Sequence, residues 1–307
     1  MILNIFIGEM MNIKQRQTSV KILQLQHLKA RSNLDLSDYD SVLLGFYGEQ
    51  LMDQSLDKLD FGDTLILRDI RILEGKVERQ FDTLLIINQC IYILDAKYYL
   101  KDTRYEERKF YHGYQEIEHP DLQIGRSEKF LQQYVWKHFG VNFSVVGHFV
   151  FVNKDVTFRN IGRHKRLLKI GDLEGFFHEL KIYPVMEVDY DVAKGLAKAH
   201  RDKSIYDQDI DLSNVTFKSG LKCPKCGTVH DVEYGTLVRM PCCCQIYKFE
   251  DLMYVALIEF CSIHMENRVK VGEFTKFLTG GSGRNYRIAR FLRNDLKSTG
   301  KRGEYKI

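Results

Sequence analysis

Residues 79–99 read RQFDTLLIINQCIYILDAKYY. Two apolar runs, 84–87 and 91–94, flank the polar pair Asn88-Gln89. Runs this short, rich in Ile and Leu and broken by a polar pair, read as buried strands joined by a tight turn. Strand side chains alternate faces, so Asp95 and Lys97 point the same way. Both follow an apolar run and so emerge near the end of their strand. With the hairpin centred on Asn88-Gln89, Asp82 falls directly opposite Asp95. A bulge would shift that register.

The pattern extends outward from this hairpin. Residues 64–72 read as a third strand, with Gly75 at the turn that follows. Upstream, Val42, Leu43, Phe46, Leu51, Leu56 and Leu59 have near-helical spacing, so 39–59 reads as an amphipathic helix. Downstream, 130–139 reads as a helix, 144–153 as a buried strand and 173–180 as a helix. A helix, three strands, a helix, a strand and a helix make a mixed α/β domain. We place it at 35–182, after an N-terminal lead-in over 1–34. A connecting segment over 183–218 follows, of which 183–215 shows no clear pattern. Then come a cysteine-rich module over 219–248 and a basic helical region over 249–307.

Asp82, Asp95 and Lys97 have a chemical use together. Two carboxylates suit Mg²⁺, a hard cation that prefers oxygen ligands. Such an ion polarises a phosphodiester and acidifies its bound water. A lysine beside it orients that water or stabilises the developing charge. A bare Asp-x-Lys is more often a surface pair, so the surrounding segments decide. Gly45-Phe46-Tyr47-Gly48-Glu49 is similar to the helical Gly-x-x-Gly-Glu of the nuclease-related domain (NERD) family, a branch of the PD-(D/E)xK nuclease superfamily. Gln80-Phe81-Asp82 resembles its Gln-Ile-Asp strand start. Asp95-Ala96-Lys97-Tyr98-Tyr99 resembles its Glu-x-Lys-Asn-aromatic segment. His119-Pro120-Asp121-Leu122-Gln123 resembles its Asn-Pro-x-x-Gln. Asp95 stands where the family usually has Glu, and Tyr98 and His119 stand where it has Asn.

The resemblance implies a restriction-endonuclease-like mixed sheet flanked by helices, and a phosphodiester hydrolase that uses Mg²⁺ or Mn²⁺ on DNA. It implies that Glu49, Asp82 and Asp95 hold the metal, that Lys97 is the catalytic lysine and that Gln123 faces the site. A catalytically silent DNA-binding protein on a nuclease-like fold is the alternative. A third reading is an adaptor that binds protein through its cysteine module.

Five of the seven cysteines lie within residues 223–244. Crowding of this kind suits a metal site better than a disulfide framework. Cys223-Pro-Lys-Cys226-Gly lets two thiolates reach one ion, and fifteen residues later comes Cys242-Cys243-Cys244. The loop suits a zinc ribbon with a closed, structural Zn²⁺ site. We take Cys223, Cys226, Cys242 and Cys244 as ligands, with Cys243 competing for the fourth place and His230 a possible substitute. A thiolate site also suits a reducing compartment. The opening eleven residues lack the features of a signal peptide, and no apolar run spans a bilayer, so a cytoplasmic location is expected.

The net charge of +4 hides an asymmetry: residues 268–307 hold eleven Lys/Arg against three Asp/Glu. A basic tail on a slightly acidic body is a footprint of nucleic-acid binding. Apolar spacing over 271–278 and 284–296, across a glycine-rich turn, outlines a helix-turn-helix. Ser282 would cap the second helix, and residues 300–305 would form a small wing. Arg284, Arg287, Arg290 and Lys301 are the candidate DNA contacts.

Overall fold

A computed structural model describes residues 12–160, 164–281 and 285–306, and the chain divides into two compact units. The first comprises residues 12–17 and Leu44–Asp207; the second comprises Thr18–Leu43 and 208–306. In chain order the first unit opens with β1 (Asn12–Lys14). Helix α1 (Val20–Arg31) belongs to the second unit, and α2 (Asp40–Leu56) leads back to the first. Strands β2 (Leu65–Glu74), β3 (Val77–Ile87) and β4 (Cys90–Lys97) follow, then the short β5 (Thr103–Glu106), β6 (Lys109–His112) and β7 (Gln115–Ile117). Helix α3 (Pro120–Phe139), β8 (Ser144–Phe151), β9 (Phe158–Arg159), β10 (Leu167–Lys169), α4 (Leu173–Leu180) and α5 (Glu187–Ala199) complete the unit.

A six-stranded mixed sheet in the order β1-β2-β3-β4-β8-β10 forms its centre. The hairpin pairs Ile87 with Cys90 and Thr83 with Leu94, the register read from the sequence. Its turn residues Asn88 and Gln89 both have positive φ, of 50° and 55°. That conformation matches the twist of the flanking strands. Side chains alternate as the strand period requires. Ile66, Leu85, Leu94 and Val150 pack with Met52 and Leu56 of α2 and Phe177 of α4. Leu65, Leu84, Ile86, Ile91 and Ile93 pack with Leu131 and Val135 of α3 and Val192 and Leu196 of α5. The result is the expected mixed sheet with helices on both faces. Strands β5, β6, β7 and β9 make a separate four-stranded sheet.

Two elements differ from expectation. Helix α3 starts at Pro120 rather than residue 130. His119 is its N-cap, with Nδ1 accepting from the Asp121 N–H at 3.3 Å, and proline fits the first helical position because its missing N–H has no partner there. His119 thereby takes the capping place that the family's Asn would suit. Residues 183–215 include α5, whose Val192, Ala193 and Leu196 are buried. This explains why the first unit extends to Asp207 and not 182.

In the second unit, α1 packs with α6 (Phe249–His264) in one core that also takes in Cys223, Val238 and Met240. That shared core groups α1, the cysteine module and the basic region together, where a lead-in and two separate segments were expected. The cysteine module carries the hairpins β11 (Leu221–Lys222) with β12 (Val229–His230) and β13 (Leu237–Arg239) with β14 (Ile246–Lys248). The chain then runs β15 (Arg268–Lys270), α7 (Val271–Thr279), α8 (Tyr286–Asp295), β16 (Lys297–Ser298) and β17 (Glu304–Lys306). β17 lies between β15 and β16, so the helix pair carries a three-stranded wing. Ser282 and Arg284 lie outside the described residues. The cap of α8 is Asn285, whose side chain accepts from the Arg287 and Ile288 N–H groups.

A Cβ on Gly195 of α5 would meet the Phe139 ring of α3 at 2.1 Å. Gly195→Ala should therefore destabilise the first unit by about 1–3 kcal/mol through overpacking. Trp136, the single tryptophan, sits in α3 and reports on this unit in a denaturant titration. An unchanged midpoint would contradict the packing.

Candidate active site and metal centre

Four of the expected site residues come from two strands and one helix. Asp82 lies on β3, Asp95 and Lys97 lie on β4, and Glu49 lies on α2. The hairpin register brings Asp82 beside β4, where its Oδ2 accepts the Ala96 N–H at 2.8 Å. Lys97 Nζ lies 2.6 Å from Asp95 Oδ1 and 4.5 Å from the centre of the Phe149 ring. Glu49 reaches this end of the sheet because α2 approaches the chain closely at Gly48. A Cβ there would lie 2.7 Å from the Tyr98 Cβ. The Gly-x-x-Gly-Glu pattern thus has a steric reason: the residue before Glu49 must have no side chain.

Crowded carboxylates repel, and their acidities show it. Burial raises Glu49 to about 7, and Asp69, Asp53 and Asp95 push the same way while Arg16 opposes them. Burial likewise holds Asp82 well above the ordinary aspartate value, with Glu49 and Asp95 adding to it. Burial works against the Lys97 ammonium, but Asp95 and Asp82 outweigh it and keep its pKa above the usual lysine value. Lys97 is therefore a cation at neutral pH. Oxygen-only donors under mutual repulsion fit a hard divalent cation. Among the described residues, however, Glu49, Asp82 and Asp95 do not gather within 4.8 Å of one another as the cysteines do.

Two features escaped the sequence reading. Arg16 pairs with Glu49 and with Asp53, at 2.7 Å from Asp53 Oδ2, and its side chain is only 6% exposed. Asp69 faces Asp82 across the β2–β3 ladder with a positive φ of 53°, and the ladder is interrupted there. Arg16 carries no local signal, since its partners lie more than thirty residues away. Gln123 stands in the first turn of α3, and its side chain makes no hydrogen bond to the cluster among the described residues.

The cysteine module holds a second candidate centre. The Gly227 N–H donates to the Cys223 carbonyl, and the Cys244 N–H donates to the Met240 carbonyl, both at 2.9 Å. Gly227 and Cys244 have positive φ, 74° and 55°. The two turns are therefore equivalent, with Met240 in the place of Cys223, Cys243 in that of Cys226 and Cys244 in that of Gly227. The sulfurs of Cys223, Cys242 and Cys243 lie within 4.8 Å of one another. Cys226 Sγ is 3.2 Å from Cys242 Sγ, and Cys223 Sγ is 3.5 Å from Cys243 Sγ. A tetrahedron of Zn–S bonds of about 2.3 Å has edges of ~3.8 Å, so the cluster has the size of a zinc site. The cluster gathers Cys243, whereas Cys244, expected as the fourth ligand, takes the left-handed place of the turn and is not in the group. His230 is not in the group. The matching Pro224 and Pro241 were the signal in the sequence.

Of the candidate DNA contacts, Arg290 and Lys301 are exposed, as are Arg293 and Arg302. Arg287 is also exposed, but its guanidinium donates to the Tyr234 carbonyl. Ile288, Phe291 and Leu292 are buried, so α8 turns its arginines to solvent. No helix among the described residues is long and apolar enough to cross a membrane.

Two outcomes follow from these centres. Cys243→Ser should lower bound zinc below one equivalent, whereas Cys244→Ser should retain it; the reverse result in a metal analysis would restore the first ligand set. Glu49 links stability to pH. Its folded pKa lies above the unfolded value, so the folded state binds more protons between about 4.5 and 7. Without added metal, stability read at Trp136 should fall as pH rises through that window, and Glu49→Gln should flatten the fall. A rise would contradict the crowding.

No curated protein and no solved structure matches this chain. A protein-family model, described as the nuclease-related domain, matches residues 44–152. That span holds Glu49, Asp82, Asp95 and Lys97 together with the sheet strands that carry the last three: the chain contains a nuclease-related domain.

Proposed function

We propose that this protein is a metal-dependent nuclease that hydrolyses phosphodiester bonds in DNA. The observation that carries the reading is the meeting of Asp82, Asp95 and Lys97 on one hairpin, inside a nuclease-related domain. Glu49, Asp82 and Asp95 would hold Mg²⁺ or Mn²⁺. When bound, such an ion polarises the phosphodiester and acidifies a water.

The chain's own groups have distinct parts. Asp82, tied through Oδ2 to the Ala96 N–H, is fixed at the strand, and its second oxygen would be the one to meet a cation. Asp95 holds Lys97 in reach. Lys97, protonated at neutral pH, donates hydrogen bonds to an attacking water or to the phosphate oxygens, and does not take up the proton. Crowded acids of raised pKa would release their protons to admit a cation, so binding should grow stronger as pH rises. Gln123 would contact substrate or water from the start of α3. Arg290 and Lys301, with Arg284 and Arg287, would supply phosphate contacts, which dominate affinity for DNA and make it salt-dependent. The cysteine module would be a structural Zn²⁺ site.

The test is cleavage of single-stranded, double-stranded and branched DNA with Mg²⁺ or Mn²⁺. Asp95→Ala and Lys97→Ala should each cut the rate by at least about 10²-fold while leaving the fold intact. Unchanged cleavage in Lys97→Ala would overturn the assignment. DNA binding without cleavage in the wild type would favour a catalytically silent DNA-binding protein.

A further inference from the structure

The matched domain begins at residue 44, yet a side chain from residue 16 occupies the acidic cluster. Each of the three nitrogens of Arg16 has a protein acceptor. Nη1 donates to Glu49, Nε donates to Asp53 Oδ2 at 2.7 Å, and Nη2 donates to the Asp82 carbonyl at 2.7 Å. The acceptors sit on two elements, α2 and β3. Arg16 therefore ties the Glu49 carboxylate to the peptide of Asp82. Its neighbour Lys14 does related work on the adjacent strand β2. Lys14 Nζ donates to the carbonyls of Arg68 and Asp69, at 3.0 and 2.8 Å, where the ladder breaks opposite Asp82. Arg68 continues the pattern to the end of α2, reaching Asp53 at 3.5 Å and Asp57, the residue after the helix, at 2.6 Å. Glu49, Asp53 and Asp57 thus form an acidic ridge at helical i, i+4, i+8 spacing, and two arginines are seated along it.

We propose that Arg16 is a positioning residue of the catalytic site, acting through Glu49, and that the segment around residues 12–17 is part of the working domain. This rests on the nuclease reading above. A guanidinium suits the task because its planar fork meets three acceptors at once, whereas an ammonium is a point charge. Three of the five N–H groups of Arg16 are engaged by protein acceptors and its side chain is only 6% exposed, so it serves the protein's own carboxylates rather than a phosphate. It offsets the charge of Glu49 and Asp53 and holds Glu49 in one place. Removing it frees two carboxylates beside the cation site and lets Glu49 move. Cation affinity and turnover then respond in opposite directions. Release of the Glu49 carboxylate from its guanidinium strengthens Mn²⁺ binding, while loss of position slows cleavage.

The test is a double-mutant cycle on the full chain with Arg16→Ala and Glu49→Gln, with two readouts. Mn²⁺ alone, titrated without DNA, should bind several-fold tighter in Arg16→Ala. The kcat for DNA should fall about 10²-fold, with KM little changed. In the Glu49→Gln background both effects of Arg16→Ala should shrink to within about threefold, because the group it acts on is gone. Arg16→Lys should give an intermediate kcat. Weaker Mn²⁺ binding in Arg16→Ala, or equal losses in both backgrounds, would overturn the proposal. Where Arg16→Ala lowers Tm, Arg16→Met, which keeps the apolar stem, takes its place under the same criteria. If the wild type does not cleave, or cleaves no faster than Lys97→Ala, the nuclease reading fails. The Mn²⁺ cycle alone then decides whether Arg16 acts through Glu49.

Discussion

The hydrogen bond from the Ala96 N–H to the Asp82 carboxylate fixes the relation between the two central strands of the site. It places one acid across from another and brings Lys97 to the same end of the hairpin. Everything else there answers the repulsion this creates. Lys97 pairs with Asp95, and Arg16 pairs with Glu49 and Asp53. Glu49 stays raised to about 7 despite its arginine. A folded chain that concentrates acids this way is less stable for it, and such sites are where function is most often found.

The second unit handles negative charge in a different way. Four thiols are set by two backbone turns of one design, each closed by a bond from a left-handed residue to the first carbonyl of the turn. The first turn spends glycine at that place, and the second spends Cys244. The same unit also holds a buried ion pair. Arg31 and Glu259 meet at 2.7 Å with neither side chain exposed, and Arg31 also covers the Phe277 ring at 4.1 Å. That pair belongs to the core of the unit, whereas the arginines of α8 are exposed.

The sequence made some of this legible. The register of the hairpin followed from two apolar runs and a polar pair, because the strand period leaves little freedom once the turn is placed. Helix 173–180 was read at its true limits because Leu173, Phe177 and Leu180 mark one buried face. The first ten residues of α3 show no helical face in the sequence because, of 120–129, only Pro120 and Ile124 are buried. Its capping signal, His119-Pro120, was present but was read only as a family motif. The division into units was not legible, since α1 and α6 meet across more than two hundred residues. Arg16 was hidden for the same reason: an ion pair at long separation leaves no periodic trace. Cys243 competes with Cys244 for the fourth place in the sequence, and setting Met240-Pro241 against Cys223-Pro224 favours Cys243.

The central claim is that the end of this hairpin is built for a divalent cation. Crystals of the full chain grown with Mn²⁺, with data collected at the manganese absorption edge, address it most directly. An anomalous peak coordinated by Asp82 and Asp95, with Lys97 within reach of the bound water, is the predicted result. Manganese found elsewhere, with the Lys97–Asp95 pair intact and Asp82 without a metal contact, would contradict it.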